Sequence, residues 1–359
     1  KINGVKNAIQ YTIPIDSEIE KARRGEILCL TNEQKHLREC FVVPEEGADL
    51  EDIKQKIINM KNYFEGYKVI IHFITEQELK EKHNQHIFTI TTELDPPKSA
   101  SSAVTEAQVV KVAPYVDAVN IADCPMAKMR MSPIALSSII QSRYQVESIF
   151  HLTCRDRNVI GLQAELLGAY ALGVHNILTL TGDPPSIGDH PDAKGVFEVD
   201  STGLIEIAKA LNEGHDIMGH ELGEAADFYI GTTANPGADD LDKEIRRLEG
   251  KKKAGAQFIQ TQPIYDIRQA ENFLAAAKDL SLPILFGIVP LKSFKMANYL
   301  NSHVPGIFIP PAVMKAMETG GRETGIALSR ELVQALRDIH ADGAHLMPVN
   351  DVDAVAEIC

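Results

Sequence analysis

Acids and amides recur at one kind of place in this chain, the ends of short β-branched runs. In Ile87-Phe88-Thr89-Ile90-Thr91-Thr92-Glu93-Leu94-Asp95-Pro96-Pro97 the run stops in two carboxylates and two prolines, which cannot continue a sheet. Asp123 follows a second run, and His151 and Thr153 close a third. Thr181-Gly182-Asp183-Pro184-Pro185 follows a fourth, Thr232, Thr233 and Asn235 a fifth, and Thr261-Gln262 ends a sixth. An acid at such a position suits proton donation or stabilisation of a cation, and Gly182 lets a ligand approach the backbone closely. One polar strand end is ordinary loop chemistry. Six in succession predict one converging site.

The elements that must position these residues are legible from residue 87 onward. Strands are expected at 88–92, 118–122, 148–153, 176–181, 227–232, 258–261, 284–288 and 345–347. Helices are expected between them, near 102–113, 133–143, 158–171, 201–213, 239–253, 267–279, 292–302 and 323–340. Eight strands alternating with eight helices over about 270 residues match an α/β fold of the TIM (β/α)8 type. A doubly wound open sheet is the alternative, and periodicity alone does not separate the two. Residues 1–86 read as a small α/β appendage, with strands at 41–43 and 68–74, a helix at 52–60 and a charged surface helix at 76–83. Nothing in that appendage suggests a reaction, and the domain boundary is expected at 86/87.

Composition excludes several classes. With 44% hydrophobic and 24% charged residues the chain has an ordinary globular balance. A formal net charge of −14 argues against a general nucleic-acid or anionic-membrane binder. Five scattered cysteines without a C-x-x-C pair suit a reducing cytoplasm and offer no local metal-ligand pattern. No apolar run is long enough to span a membrane and no signal peptide is visible at Lys1, so a cytoplasmic protein is expected.

With the strand ends in view, residues 87–359 resemble the methylenetetrahydrofolate reductase family. The resemblance rests on Thr92 to Pro97, Phe150-His151-Leu152-Thr153-Cys154, Leu180 to Pro185, Ala254-Gly255-Ala256 leading to Thr261-Gln262-Pro263, and Gly287-Ile288-Val289-Pro290 before Phe294. Asp123 to Ser132 and Arg155-Asp156-Arg157-Asn158 look closest to a branch often fused to a homocysteine methyltransferase domain, which residues 1–86 are too short to be. The family fold is a TIM barrel with a flavin at its C-terminal mouth. The resemblance implies one-carbon metabolism serving methionine biosynthesis. Reduced flavin would convert 5,10-methylenetetrahydrofolate to 5-methyltetrahydrofolate.

In that reading Glu93 is the general acid that opens the imidazolidine ring, with a raised pKa and Ile90 and Leu94 as its apolar setting. Asp183 holds the pterin and stabilises the iminium. Gln262 and Phe294 bind substrate. His151, Thr181, Gly182, Asp123, Asp200, Asn235, Lys251 and Ala256 form the flavin set. For Lys251, within Lys251-Lys252-Lys253, a solvated helix face is the competing reading. The implied cofactor is FAD, with FMN as the alternative, and NADH or NADPH is the implied donor. The chain departs from the family at Thr181 (an Arg), Gly231 (a Tyr), Asn235 (a His), Ala122 (a Thr) and Asp351 (the Arg that holds the folate tail). A homo-oligomer is expected, with residues 1–86 as a candidate dock for an electron-transfer subunit. The alternatives are a flavin-free barrel passing a methyl group from methyltetrahydrofolate to a corrinoid protein, and a non-catalytic scaffold subunit.

Overall fold

The computed structural model describes residues 78–304 and 306–359 and, before them, the backbone of four strands together with Cys40 and Ile57. The four strands are β1 (Asn7–Tyr11), β2 (Glu26–Asn32), β3 (Leu37–Val43) and β4 (Lys68–Phe73). They form one sheet in that order, parallel except for the β2–β3 pair. Strands β3 and β4 were expected, whereas β1 and β2 were not. The helix expected at 52–60 lies outside the described residues apart from Ile57. The chain divides into two compact units, Lys1–Glu78 and Leu79–Cys359.

The second unit is a closed parallel barrel. Its strands are β5 (Thr89–Leu94), β6 (Ala118–Ile121), β7 (Glu147–Thr153), β8 (Asn176–Leu180), β9 (Tyr229–Ala234), β10 (Phe258–Pro263), β11 (Ile284–Ile288) and β12 (Gly343–Leu346). Strand β12 pairs back onto β5, which decides between a barrel and an open sheet. The outer helices are α2 (Ala103–Val112), α3 (Pro133–Tyr144), α4 (Val159–Ala171), α5 (Ser201–Asn212), α6 (Leu241–Ala254), α7 (Ile267–Ala277), α8 (Phe294–His303) and α9 (Pro311–Asp338). Side-chain oxygens of Ser132, Asn158, Asp200, Asp240, Asp266 and Ser293 cap the starts of α3 to α8.

Helix α9 starts well before the expected 323, because Pro311 opens a first segment that Gly321 interrupts with φ 57° and ψ −150°. A further short helix, α10 (Asp353–Ile358), was not foreseen. It buries Ala354, Val355 and Ile358. No helix among the described residues is long and apolar enough to cross a membrane.

The N-terminal end of the barrel is plugged. Helix α1 (Glu78–Asn84) was expected as a charged surface element, but its Leu79 is fully buried with Ala118, Ile149, Leu178, Tyr229, Phe258 and Leu285. His83 is buried beside it, its Nδ1 2.7 Å from Tyr229 Oη and its Nε2 3.0 Å from Thr89 Oγ1. Burial holds this imidazole down at about 4, hence neutral. Lys80 and Lys82 face outward onto Asp227 and Asp117. Leu79→Ala is expected to cost about 2–5 kcal/mol, since it opens a cavity against rigid strand ends. Urea unfolding of the full chain measures this, and a loss near zero would show that α1 is peripheral.

Candidate active site

Glu93 is the penultimate residue of β5, inside the strand rather than after it as expected. Alternation aims it into the lumen one layer above Thr91. Ile90 and Leu94 do not surround it. They occupy the other face of β5, in the apolar shell with Val109, Val112 and Ile140. The lumen itself desolvates the half-buried Glu93. Burial, with the Asp95 charge second, pushes its carboxyl up to about 7. Burial also raises Asp95, against the opposing charge of Arg130, whose buried Nε has no hydrogen-bond partner among the described residues.

Beneath Glu93 the lumen carries a polar layer. Asn120 on β6 donates through Nδ2 to Gln260 Oε1 on β10 at 2.7 Å and to His151 Nε2 on β7 at 3.0 Å. Gln260 Nε2 donates to Asn120 Oδ1 and to Thr91 Oγ1, each at 3.2 Å. Thr91 Oγ1 lies 2.9 Å from His345 Nδ1 on β12. The Asn120–Gln260 and Gln260–Thr91 bonds cross between non-adjacent strands, while Asn120–His151 and Thr91–His345 join neighbouring strands, so the five side chains share one inward layer. Burial lowers His151 to about 4 and His345 to about 3, leaving both rings neutral. For His151, Asn120 occupies one ring nitrogen only.

Around the rim, Asp123 is nearly sealed. Its Oδ2 accepts from Thr153 N and Oγ1, both at 2.9 Å, and from Arg157 Nη1 at 3.0 Å. Gly182 has φ +90°, and a Cβ there would lie 2.9 Å from Thr153 Cβ, so only glycine fits between β7 and β8. It presents Asp183 to solvent at the mouth. Thr181 Oγ1 accepts from Ser201 N at 3.1 Å, and Asp200 caps α5 through Thr202 N and Gly203 N. Those two residues thus tie β8 to the start of α5.

Strand β10 is irregular against β11 between Gln260 and Pro263, where Gly287 N donates to Thr261 Oγ1. The irregularity sits under exposed Gln262, a common way to re-aim a side chain beside a site. Phe294 opens α8 and is 38% exposed. Asn235 is engaged locally: Oδ1 accepts from Gly237 N, and its own N–H donates to Glu244 Oε1.

Two expected contacts are not brought to the mouth. Lys251 is 2% exposed, which removes the solvated-face reading, yet its Nζ turns to Thr232 Oγ1 at 2.8 Å on the outer face of β9. Burial pushes this ammonium down to about 8. Ala256 is buried in the shell before the start of β10, at the opposite end from the mouth.

The departures acquire local reasons. Gly231 cannot carry a side chain, because a Cβ would lie 2.3 Å from Cζ of Phe258. Asp351 is held by Arg322 through two bonds of 2.7 and 3.0 Å. Ala122 is buried at the end of β6.

The structure therefore brings Glu93, Gly182, Asp183 and Gln262 to the strand ends above His151 of the lumen layer, with Phe294 at the start of α8. The sequence reading missed Thr91, Asn120, Gln260 and His345. Their signal was present: Asn and Gln inside Ala118-Val119-Asn120-Ile121 and Phe258-Ile259-Gln260 are unusual in a buried parallel strand. Among the described residues no group of three or more His, Cys, Asp or Glu side chains is arranged to hold a metal ion.

A family model described as "Methylenetetrahydrofolate reductase" matches residues 78–359, and one described as "Diaminopimelic acid dehydrogenase C-terminal domain" matches residues 1–108. Methylenetetrahydrofolate reductase 1 of Schizosaccharomyces pombe is 28% identical over 235 residues, covering 62% of this chain and 36% of that protein. The meso-diaminopimelate D-dehydrogenase of Acetivibrio thermocellus is 56% identical over 84 residues, 23% of this chain and 25% of that protein. The chain thus spans only a quarter or so of the dehydrogenases and about a third of the reductases it matches. An uncharacterized Clostridium thermocellum protein described as binding two copies of 5-methyl-5,6,7,8-tetrahydrofolic acid superposes with a TM-score of 0.58 at 16% identity. The match covers 79% of this chain and 98% of that one, and at this identity it speaks to fold alone.

Proposed function

Because the chain belongs to the methylenetetrahydrofolate reductase family, we propose that its barrel reduces 5,10-methylenetetrahydrofolate to 5-methyltetrahydrofolate with electrons from a bound flavin. The observation that carries this reading is the Glu93 carboxyl, half-buried in the lumen and pushed up to about 7. An ordinary glutamate is ionised at neutral pH and a poor acid, whereas burial keeps the proton on this one to far higher pH. The folate-binding description of the Clostridium thermocellum neighbour agrees in substrate class.

The residues present fit a flavin ring. Gly182 leaves room for close approach at the rim, and His151 has one ring nitrogen free of protein partners among the described residues. When bound, the flavin supplies the hydride that the methylene carbon accepts. Glu93 protonates N10, the N10–methylene bond breaks with its electron pair going to N10, and a cationic iminium forms at N5. Asp183, exposed at the mouth, offsets that positive charge. Gln262 takes the amide and amine edge of the pterin, and Phe294 packs on its face. NADH or NADPH is the proposed electron source, FAD the first cofactor choice and FMN the second. Lys251 faces β9, which leaves the hold on a flavin phosphate to other residues.

Two measurements test this reading. The visible spectrum of the purified protein should carry oxidised-flavin bands, with chromatography of the released species separating FAD from FMN. A colourless protein that also refuses added flavin would point instead to flavin-free methyl transfer. The pH profile of folate reduction supplies the second. Glu93 must be protonated, so turnover should be flat below about 7 and fall about tenfold per pH unit above it. A rate that rises through pH 7 would remove Glu93 as the acid.

A further inference from the structure

The donors and acceptors of the polar layer assign one tautomer to each buried histidine. Asn120 spends both Nδ2 protons, one on Gln260 Oε1 and one on His151 Nε2. A ring nitrogen that accepts is bare, so the His151 proton is on Nδ1. Gln260 Nε2 donates to Asn120 Oδ1 and to Thr91 Oγ1. Thr91 Oγ1 accepts from Gln260 and has one hydroxyl proton to give; among the described residues His345 Nδ1 is the ring acceptor within reach, and we assign the proton to that bond, which puts the His345 proton on Nε2.

Two N–H groups remain, at His151 Nδ1 and His345 Nε2. Neither has a protein partner among the described residues, and neither is among the unpartnered atoms sealed from solvent. The N-terminal end of the lumen is closed by Leu79, Tyr229 and Phe258. The open side of both rings is therefore the mouth.

We infer that this layer is a donor platform: His151 Nδ1–H and His345 Nε2–H receive the acceptor edge of a flat, fused nitrogen heteroaromatic seated in the mouth. Asn120, Gln260 and Thr91 are positioning residues that lock both tautomers. The inference rests on the reductase reading, in which two such rings, isoalloxazine and pterin, use the mouth. Ring carbonyls and bare ring nitrogens are the shared chemistry. His345 is the residue it adds, and the chain through Gln260 makes the two histidines interdependent. Their neutrality agrees with this, since burial keeps both far below their usual range.

The test uses the full chain. Histidine-selective ¹⁵N spectra at about pH 7 should show neutral His151 protonated at Nδ1 and neutral His345 at Nε2. The opposite tautomers, or a cationic ring, would overturn the inference without any variant being made. Gln260→Leu should disturb the signals of both histidines together, and a change confined to one denies the coupling. In the binding arm, FMN, FAD and 5-methyltetrahydrofolate are titrated separately. His345→Leu should weaken either the flavins or the folate about tenfold, as expected for one lost hydrogen bond to a buried ring, and so identify the ring. If both affinities stay within about twofold, the platform is wrong while the reductase reading stands. A wild-type protein that binds neither ring removes both.

Discussion

Glu93→Gln is expected to bind flavin and accept electrons from the nicotinamide donor at the wild-type rate while losing folate reduction by a factor of about 10²–10⁴. The amide keeps the size of the side chain and its place on β5 but has no proton to give at any pH. The two half-reactions part because only one of them needs an acid. Flavin reduction transfers hydride onto the cofactor, whereas the folate must first lose its N10–methylene bond. Stopped-flow absorbance separates them, since flavin bleaching and flavin reoxidation by folate are read on one sample. Near-normal reoxidation would sink the proposed mechanism. The pH behaviour adds a second signature: whatever activity remains should lose the fall above pH 7 that the Glu93 carboxyl imposes.

A stability change accompanies the same substitution. The folded carboxyl titrates at about 7 against 4.5 for an unperturbed glutamate, so the folded state binds more protons between those values. Stability contributed by this group is therefore full below about 4.5 and is lost as pH rises through 7. Glu93→Gln removes that dependence, and the variant should equal or exceed the wild type in unfolding midpoint above pH 7. A catalytic loss with no loss of stability is the pattern of a site residue held at the expense of the fold.

The barrel was legible because its sequence repeats a physical unit. Seven short apolar runs each end in turn chemistry and are each followed by a helical stretch before the eighth run arrives, and the alternation survives even where boundaries shift by a few residues. What resisted reading depends on facing. Glu93, Thr233 and Gln262 were read as strand-end residues but belong to the strands, since an inward polar residue near a barrel rim looks in sequence like the first residue of a loop. Ile90 and Leu94 were assigned to Glu93 by proximity along the chain, although period-two alternation sends them to the opposite side. Lys251 was hidden among exposed lysines, and only the fold shows that one of the three faces Thr232. The polar layer joins five strands separated by up to 254 positions, so no local pattern could assemble it. In the first unit no motif pointed to chemistry, and its likeness to a dehydrogenase C-terminal domain came only from comparison.

Asp123 is where the sequence reading and the structure assign different duties, and Asp123→Ala separates them. As a flavin contact its loss would weaken the cofactor and leave the fold intact. In the structure its Oδ2 is occupied three times by protein donors: Thr153 N, Thr153 Oγ1 and Arg157 Nη1. Alanine would leave the buried Thr153 N–H unsatisfied and Arg157 with only Glu165, 4.0 Å away. The expected cost is about 2–4 kcal/mol, from one orphaned buried donor and one broken, partly buried ion pair. The consequence does not stop at stability. Thr153 forms the wall against which Gly182 packs, so slack at Thr153 passes to Gly182 and to the Asp183 that it presents. The variant should lower the thermal midpoint even without flavin, and its folate turnover should recover in part at low temperature as β7 re-forms. Asp123→Asn keeps an acceptor for the Thr153 N–H while dropping the charge opposite Arg157, and it should fall between alanine and wild type in the same scan. An unchanged midpoint for Asp123→Ala, with flavin affinity alone reduced, would return Asp123 to the cofactor and refute the clamp.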